Sequence, residues 1–114
     1  MAVANRLNRE WAKTATRAHA IREYYDAADI AYAEALKGRG ISAEAIGTHA
    51  GLADTSLTLA IDPSLVRSDR LADAPSTRDG VNGDPRKASV ELGRIGVDLV
   101  VASSVAAIKR ATHR

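Results

Sequence analysis

The sequence predicts an α/β protein in which helices flank at least one short strand. Apolar residues make up 46% of the chain and charged residues 26%, which is the balance of an ordinary globular protein. Residues 17–23 alternate imperfectly between polar and apolar side chains and are bounded by polar residues, a pattern typical of a short strand. Apolar residues recur at helical spacing on both sides of that segment.

The chain's length and residue types narrow the possible classes. A chain of 114 residues fits one domain, although a compact α/β enzyme with a whole active site is generally larger. The 16 basic and 14 acidic residues are scattered, which disfavours a nucleic-acid binder; that alternative requires salt-dependent binding to DNA or RNA.

The absence of cysteine excludes disulfides and thiolate metal sites. We expect a soluble, cytoplasmic protein, because neither a signal peptide nor a membrane span is recognisable.

The first helix is predicted over residues 2–13. Val3, Leu7 and Trp11 recur at intervals of four and share one side of it, and no capping residue precedes it. The strand at residues 17–23 follows, and it leads to Tyr24 and Tyr25.

A second helix is predicted after this strand. Asp26 or Asp29 can cap its start, and Gly38 and Gly40 end it. Ser42 then begins a short turn or helix that runs to residue 46.

A third helix is expected to open directly after Gly51, and Asp62 with Pro63 marks its end. His49 then lies immediately before a helix N-terminus. Residues 68–84 contain Pro75 and many polar residues and are predicted to form a surface loop.

The longest predicted helix runs from Pro85, capped by Asp84, to about residue 111. It carries two neighbouring apolar stripes, so we expect burial on more than one side, against a sheet; its Val-rich centre leaves a strand as a minor alternative. The stripes are Ala88, Leu92, Ile95, Leu99 and Ala102, and Val97, Val101, Val105 and Ile108.

Residues 47–56 hold the most informative cluster of polar groups, with one histidine, one carboxylate and three hydroxyls together with two glycines. His49 can move a proton near neutral pH, which hydrolysis of an amide requires of some group. Asp54 can orient it or act as a charge at the helix N-terminus. The alternative is equally weighted: His49 is a hydrogen-bonded structural residue and Asp54 matches the helix dipole.

Other candidates are weaker. His19 and His113 belong to no recognisable metal-binding spacing, and we favour structural roles for both. Tyr25 can line a pocket, although packing at a strand end is the simpler explanation. Residues 80–85 form a predicted turn, and phosphate binding there is a weak alternative because the P-loop lysine is missing.

Two motifs resemble the creatininase family. Residues 49–56 read HAGLADTS and precede an apolar helix and DPSLVR, which is similar to the family pattern HAGxxETS followed by LALxPxLVR. Residues 80–89 read GVNGDPRKAS and are followed by Gly93 and Arg94, similar to GVxGDPxxAS and GR. The motifs occur in the family's order, and the resemblance covers nearly the whole chain.

This resemblance implies an α/β/α layered fold with a mostly parallel sheet, homo-oligomers that are frequently hexamers, and a two-metal site of Zn or Mn. In such a site a metal-activated water hydrolyses a cyclic amide or a related C–N bond of a small molecule. The resemblance makes His49 a proton carrier or substrate-binding group and places Asp54, the second expected catalytic residue, where the family usually has Glu. Gly51, Thr55 and Tyr25 are the further expected substrate-binding residues.

One part of the family pattern has no counterpart. The family's metal ligands are Glu, His and Asp residues in ExH and HxE arrangements, and the sequence lacks them. Residues 1–114 are therefore interpreted as the C-terminal portion of a creatininase-like domain that binds no metal alone. Its N-terminal half would come from another chain or was lost from the gene model. Creatinine is disfavoured because Ala45 and Ile46 occupy the region where creatininase has a tryptophan. The rival hypothesis is a non-catalytic remnant or interaction module.

Overall fold

The protein is helical throughout the part that the computed structural model describes, residues 1–74 and 79–112. The seven α-helices there are α1 Ala2–Glu10, α2 Arg22–Tyr25, α3 Tyr32–Lys37, α4 Ala43–Ile46, α5 Leu52–Ile61, α6 Ser68–Leu71 and α7 Val90–Thr112. A π-helical segment, Asp26–Ala31, joins α2 to α3, and 3₁₀ turns occupy Pro63–Leu65 and Pro85–Lys87. The most extensive packing in the fold is between α5 and α7.

The predicted α/β class, with its mostly parallel sheet, is wrong for the described residues, which contain no strand. Their β-type pairing is an isolated antiparallel bridge between His49 and Asn82. Residues 17–21 lie outside any helix, and α2 begins at Arg22. The Asn8 side chain takes both backbone groups of Ala18, since Nδ2 donates to its carbonyl and Oδ1 accepts from its N–H, each at 2.8 Å. In a strand, the backbone N–H and C=O groups form hydrogen bonds with a neighbouring strand. At Ala18 the Asn8 side chain forms these hydrogen bonds instead.

Several helix boundaries differ from the prediction. Asp26 and Asp29 do not cap a helix, because the chain is already helical from Arg22 through the π-helical segment. The long helix begins at Val90 and not at Pro85, because Ala88 has an extended backbone (φ −61°, ψ 143°) that separates the 3₁₀ turn from α7.

Other predicted boundaries are confirmed. Ser42 caps α4, and its Oγ accepts from the Ala45 N–H at 3.2 Å. Helix α5 begins directly after Gly51 and ends at Ile61, just before Asp62. Helix α1 forms as predicted but ends at Glu10. Within the predicted surface loop 68–84, the first four residues form α6, and residues 75–78 lie outside the described part.

The core lies where α3, α4, α5 and α7 meet, and Tyr32, Leu36, Ile46 and Leu52 are buried at its centre. Glycine permits the close approach of α5 and α7, because a Cβ at Gly93 would overlap the carbonyl oxygen of Ser56. The core places the start of α5, and with it His49, at one edge of the helix pair.

The two apolar stripes of α7 have different environments. Leu92, Ile95 and Leu99 of the first stripe pack on the core. The second stripe was expected to be buried, but the exposed fractions of Val101, Val105 and Ile108 are 54%, 43% and 48%.

The radius of gyration is 17.4 Å, whereas a compact chain of this length has roughly 13 Å. Among residues 1–74 and 79–112, no helix has the length and apolar character needed to cross a bilayer.

Candidate functional site

The two sequence motifs meet at His49. The His49 N–H donates to the carbonyl of Asn82 at 3.2 Å, and the Asn82 N–H donates back to the His49 carbonyl at 2.7 Å. Thr48 adds a side-chain contact, since its Oγ1 lies 3.0 Å from Oδ1 of Asn82. The backbone at His49 is therefore held on both sides of the residue while its side chain remains exposed.

Three glycines let these two segments touch. A Cβ at Gly47 would overlap the carbonyl oxygen of Asn82, and φ of +72° is also a conformation that glycine adopts readily. A Cβ at Gly51 would lie 2.5 Å from the Ile46 carbonyl oxygen, and one at Gly83 would lie 2.7 Å from the Gly51 Cα. Gly51, predicted to bind substrate, thus has a steric role in the backbone junction.

The turn from His49 into α5 is strained and is braced by side chains. Ala50 has φ of +51°, which is uncommon for a residue with a Cβ. Oδ2 of Asp54 accepts from the Ala50 N–H at 2.8 Å, and Oγ1 of Thr55 donates to the Ala50 carbonyl at 3.4 Å. Asp54 therefore serves as an N-terminal capping charge, and it acts on His49 through the backbone of the neighbouring residue.

We expect Asp54→Ala to lower the free energy of unfolding by about 1 kcal/mol, because it removes the hydrogen bond to the Ala50 N–H and a favourable charge in the first turn of α5. Urea denaturation measures this change. Asp29→Ala is the matched control, because Asp29 is also an exposed helical carboxylate and should change stability by less than about 0.5 kcal/mol. Equal effects of the two substitutions would contradict the bracing role.

Ser56 connects the site to α7. It is fully buried, and its Oγ accepts from the Ser89 N–H at 3.2 Å, just before α7 begins. The buried Tyr32 hydroxyl donates to the Leu92 carbonyl at 3.1 Å. Burial raises the pKa of Tyr32 to about 12, an effect that its hydrogen bond with Ser56 partly opposes. Tyr32 is therefore neutral in the folded protein and acts as a structural hydrogen-bond donor.

An open cavity of about 460 Å³ lies beside His49. Its apolar walls include Leu65, Val66 and Leu71. Sequence reasoning missed half of its polar residues, because no local pattern in the sequence marks them. The polar lining consists of His49, Asp54, Thr55, Thr58, Arg67 and Arg70.

The remaining sequence candidates lie elsewhere. Tyr25 and His19 line a second cavity of about 960 Å³ that His49 does not line. The structure thus groups Asp54 and Thr55 with His49 and separates Tyr25 from them. His113 lies outside the described residues.

Asp84 fixes the second motif. It caps the 3₁₀ turn, because its Oδ1 accepts from the Arg86 N–H at 3.1 Å. Its carboxylate also pairs with the Arg86 guanidinium at 2.6 Å. The Arg86 side chain and backbone N–H lower the pKa of Asp84 from 3.8 to about 2.

This low pKa predicts a pH effect on stability. A carboxyl with a depressed folded pKa contributes stability that is present above its unfolded pKa and is lost as pH falls through its folded pKa. The Asp84 contribution should therefore disappear between about pH 4 and about pH 2. Urea unfolding at several pH values should show a steeper loss of stability for the native protein than for Asp84→Asn. Parallel curves would contradict the assignment.

The comparisons with known proteins give one match. The family model Creatininase, described as creatinine amidohydrolase, matches residues 1–108. The chain belongs to the creatininase family. No curated protein and no solved structure matches it. The family consists of amidohydrolases that are generally metal-dependent.

The donors on these residues do not fit the family's metal site. In the described part of the chain, no three His, Asp or Glu side chains lie close enough together to hold a metal ion. In the cavity, His49 and Asp54 are the side chains of ligand type, and Oδ2 of Asp54 already accepts from Ala50. The site can therefore supply proton transfer and substrate contacts.

Proposed function

We propose that this chain supplies the proton-transfer and substrate-binding part of a creatininase-type amidohydrolase site. The reaction is the hydrolysis of a cyclic amide or a related C–N bond, and the metal ligands come from residues outside these 114. The observation that supports this best is that both motifs shared with the family converge on His49, which lines a cavity of about 460 Å³. Such a volume suits a small-molecule substrate.

The proposed role of His49 follows from its setting. Cleavage of an amide C–N bond needs a proton for the departing nitrogen, and an imidazole can donate it near neutral pH. The bonds to Asn82 and the braced turn at Ala50 fix the His49 backbone, so the exposed ring is presented to the cavity. The N–H groups in the first turn of α5 lie at the same end and favour an anionic intermediate.

Reconstitution tests this proposal. The chain would be co-expressed with a segment that carries the ExH, Asp and HxE ligands, and the pair would be assayed with Mn or Zn on cyclic amides and formamides. We expect hydrolysis by the pair and none by either part alone. If the pair hydrolyses no compound, the enzymatic proposal fails. Tight, stoichiometric Mn or Zn on the isolated chain would contradict the placement of the ligands elsewhere.

A non-catalytic interaction module is the second candidate. The exposed apolar residues Val101, Val105 and Ile108 on α7 favour it, since contiguous apolar surface commonly marks a contact with another protein. This module would bind its partner equally well with and without the His49 side chain. The amidohydrolase proposal instead makes that side chain essential.

The other expectations remain part of the proposal. They are a cytoplasmic location, an N-terminal half as partner, a homo-oligomer, and no function on nucleic acid or at a membrane.

A further inference from the structure

Arg67 and Arg70 line the same cavity as His49. We propose that these two arginines form an oxyanion-binding subsite, so that the substrate is an amide that carries a carboxylate or phosphate group. This inference rests on the proposed function, because it names the substrate class of the same site. A planar guanidinium matches both oxyanions with paired N–H donors.

Neither guanidinium has a protein partner in residues 1–74 and 79–112. Asp69 and Asp73 are close in sequence and exposed, yet neither forms an ion pair with Arg67 or Arg70 among those residues. Many other arginines of the chain are bonded to carboxylates or carbonyls: Arg6, Arg17, Arg22, Arg39, Arg86 and Arg110. The two cavity arginines thus keep their donors available for a ligand.

The local backbone brings the two arginines within one turn of each other. Arg67 immediately precedes α6, and the Arg70 N–H donates to the Arg67 carbonyl at 2.9 Å, which closes one turn between them. Arg67 has a non-helical backbone (φ −75°, ψ 81°), so the two side chains are neighbours across a single turn. An anion can therefore contact both guanidinium groups at once.

The charges lining the cavity favour an anion. Asp54 is the acidic residue among the described lining residues, and its Oδ2 is engaged by the Ala50 N–H. The two arginines thus bring two positive charges to the lining, and Asp54 brings one negative charge. That negative charge is partly compensated by the Ala50 N–H and by the N-terminus of α5. The Thr58 hydroxyl, which also lines the cavity, donates to the Asp54 carbonyl at 2.9 Å.

The lining of the cavity offers a contact for each part of the ligand. The apolar side chains of Leu65 and Leu71 line the cavity together with both arginines and with His49. A ring with one anionic substituent can contact these walls while its oxyanion binds the arginines and its amide faces His49. The volume of about 460 Å³ has room for such a molecule.

A pair of matched probes tests the subsite on the full chain. Pyroglutamate is a five-membered cyclic amide with a carboxylate, and 2-pyrrolidinone is the same ring without it. In NMR titrations we expect pyroglutamate to bind at least tenfold more tightly than 2-pyrrolidinone and to shift the amide signals of His49, Thr55 and Arg70. Inorganic phosphate is titrated in parallel, and the tighter of the two anions identifies the preferred oxyanion.

Substitutions connect the binding to the arginines. The double variant Arg67→Gln and Arg70→Gln should weaken binding of the preferred anion at least tenfold, with little change for 2-pyrrolidinone. Arg9→Gln is the control, because Arg9 is an exposed arginine on α1 that does not line the cavity, and it should leave the affinity unchanged. Circular dichroism checks that the double variant is folded.

Three results would overturn the subsite: equal binding of the charged and neutral rings, unchanged anion affinity in the double variant, or an equal loss in Arg9→Gln. These outcomes are independent of turnover. A reconstituted enzyme that hydrolyses only neutral amides would refute the subsite and keep the amidohydrolase proposal. Arginine-dependent anion binding without any hydrolysis by the reconstituted pair would support the subsite and refute the amidohydrolase proposal.

Discussion

Replacing Gly93 with alanine is expected to lower the free energy of unfolding by about 3 kcal/mol or more, the largest effect on stability predicted for this chain. The added Cβ would overlap the carbonyl oxygen of Ser56 and would lie 2.7 Å from the Ala60 Cβ. The first of these atoms belongs to the backbone of α5, so no side-chain rotation can relieve the overlap. Helices α5 and α7 must separate, and theirs is the most extensive packing in the fold.

Thermal and urea unfolding measure this effect, and Gly38→Ala is its control. Gly38 has a helical φ of −59° at the end of α3, and a Cβ there would lie 3.5 Å from the nearest atom, an ordinary contact. The same chemical change should therefore be neutral or slightly stabilising at Gly38. Similar unfolding curves for the two variants would show that the close contact of α5 and α7 is wrong.

Replacing His49 with alanine is expected to reduce hydrolysis by the reconstituted enzyme by about 10² to 10⁴-fold, the usual contribution of a general acid or base. Stability should change by less than about 0.5 kcal/mol, because the side chain is exposed and the bonds to Asn82 use only the backbone. This combination separates the catalytic role from the structural role that the sequence left open.

The kinetic assay uses His19→Ala as its control, since His19 is another exposed histidine but lines a different cavity. That variant should keep nearly full activity. Loss of stability without a specific loss of turnover in His49→Ala would favour the structural role. Equal loss of turnover in both variants would contradict a specific catalytic role for His49.

Local chemistry made the region around His49 predictable. Glycine at position 51, a carboxylate three residues later and a capping serine at position 42 act on neighbouring backbone groups, so their effects do not depend on distant parts of the chain. Glycine also permits close backbone approach, and both Gly47 and Gly51 make such contacts.

The failed predictions depended on partners that local patterns do not specify. Residues 17–21 had the alternation of a strand, but the described chain offers Ala18 an asparagine side chain in place of a second strand. The second stripe of α7 was expected to be buried, but the described residues leave it exposed. Arg67 and Arg70 resembled ordinary surface charges, because only the folded chain shows that they share a cavity with His49.

The junction of Gly47, Gly51 and Gly83 has a practical consequence for mutational mapping. Its contacts are made by Cα atoms and carbonyl oxygens, so the junction offers no side chains to truncate. A scan that truncates side chains cannot measure the contribution of this junction. Such a scan would attribute the importance of the region only to His49 and Asp54. The informative experiment there adds a single methyl group at each glycine by substitution with alanine. Its readout is the conformation of the loop.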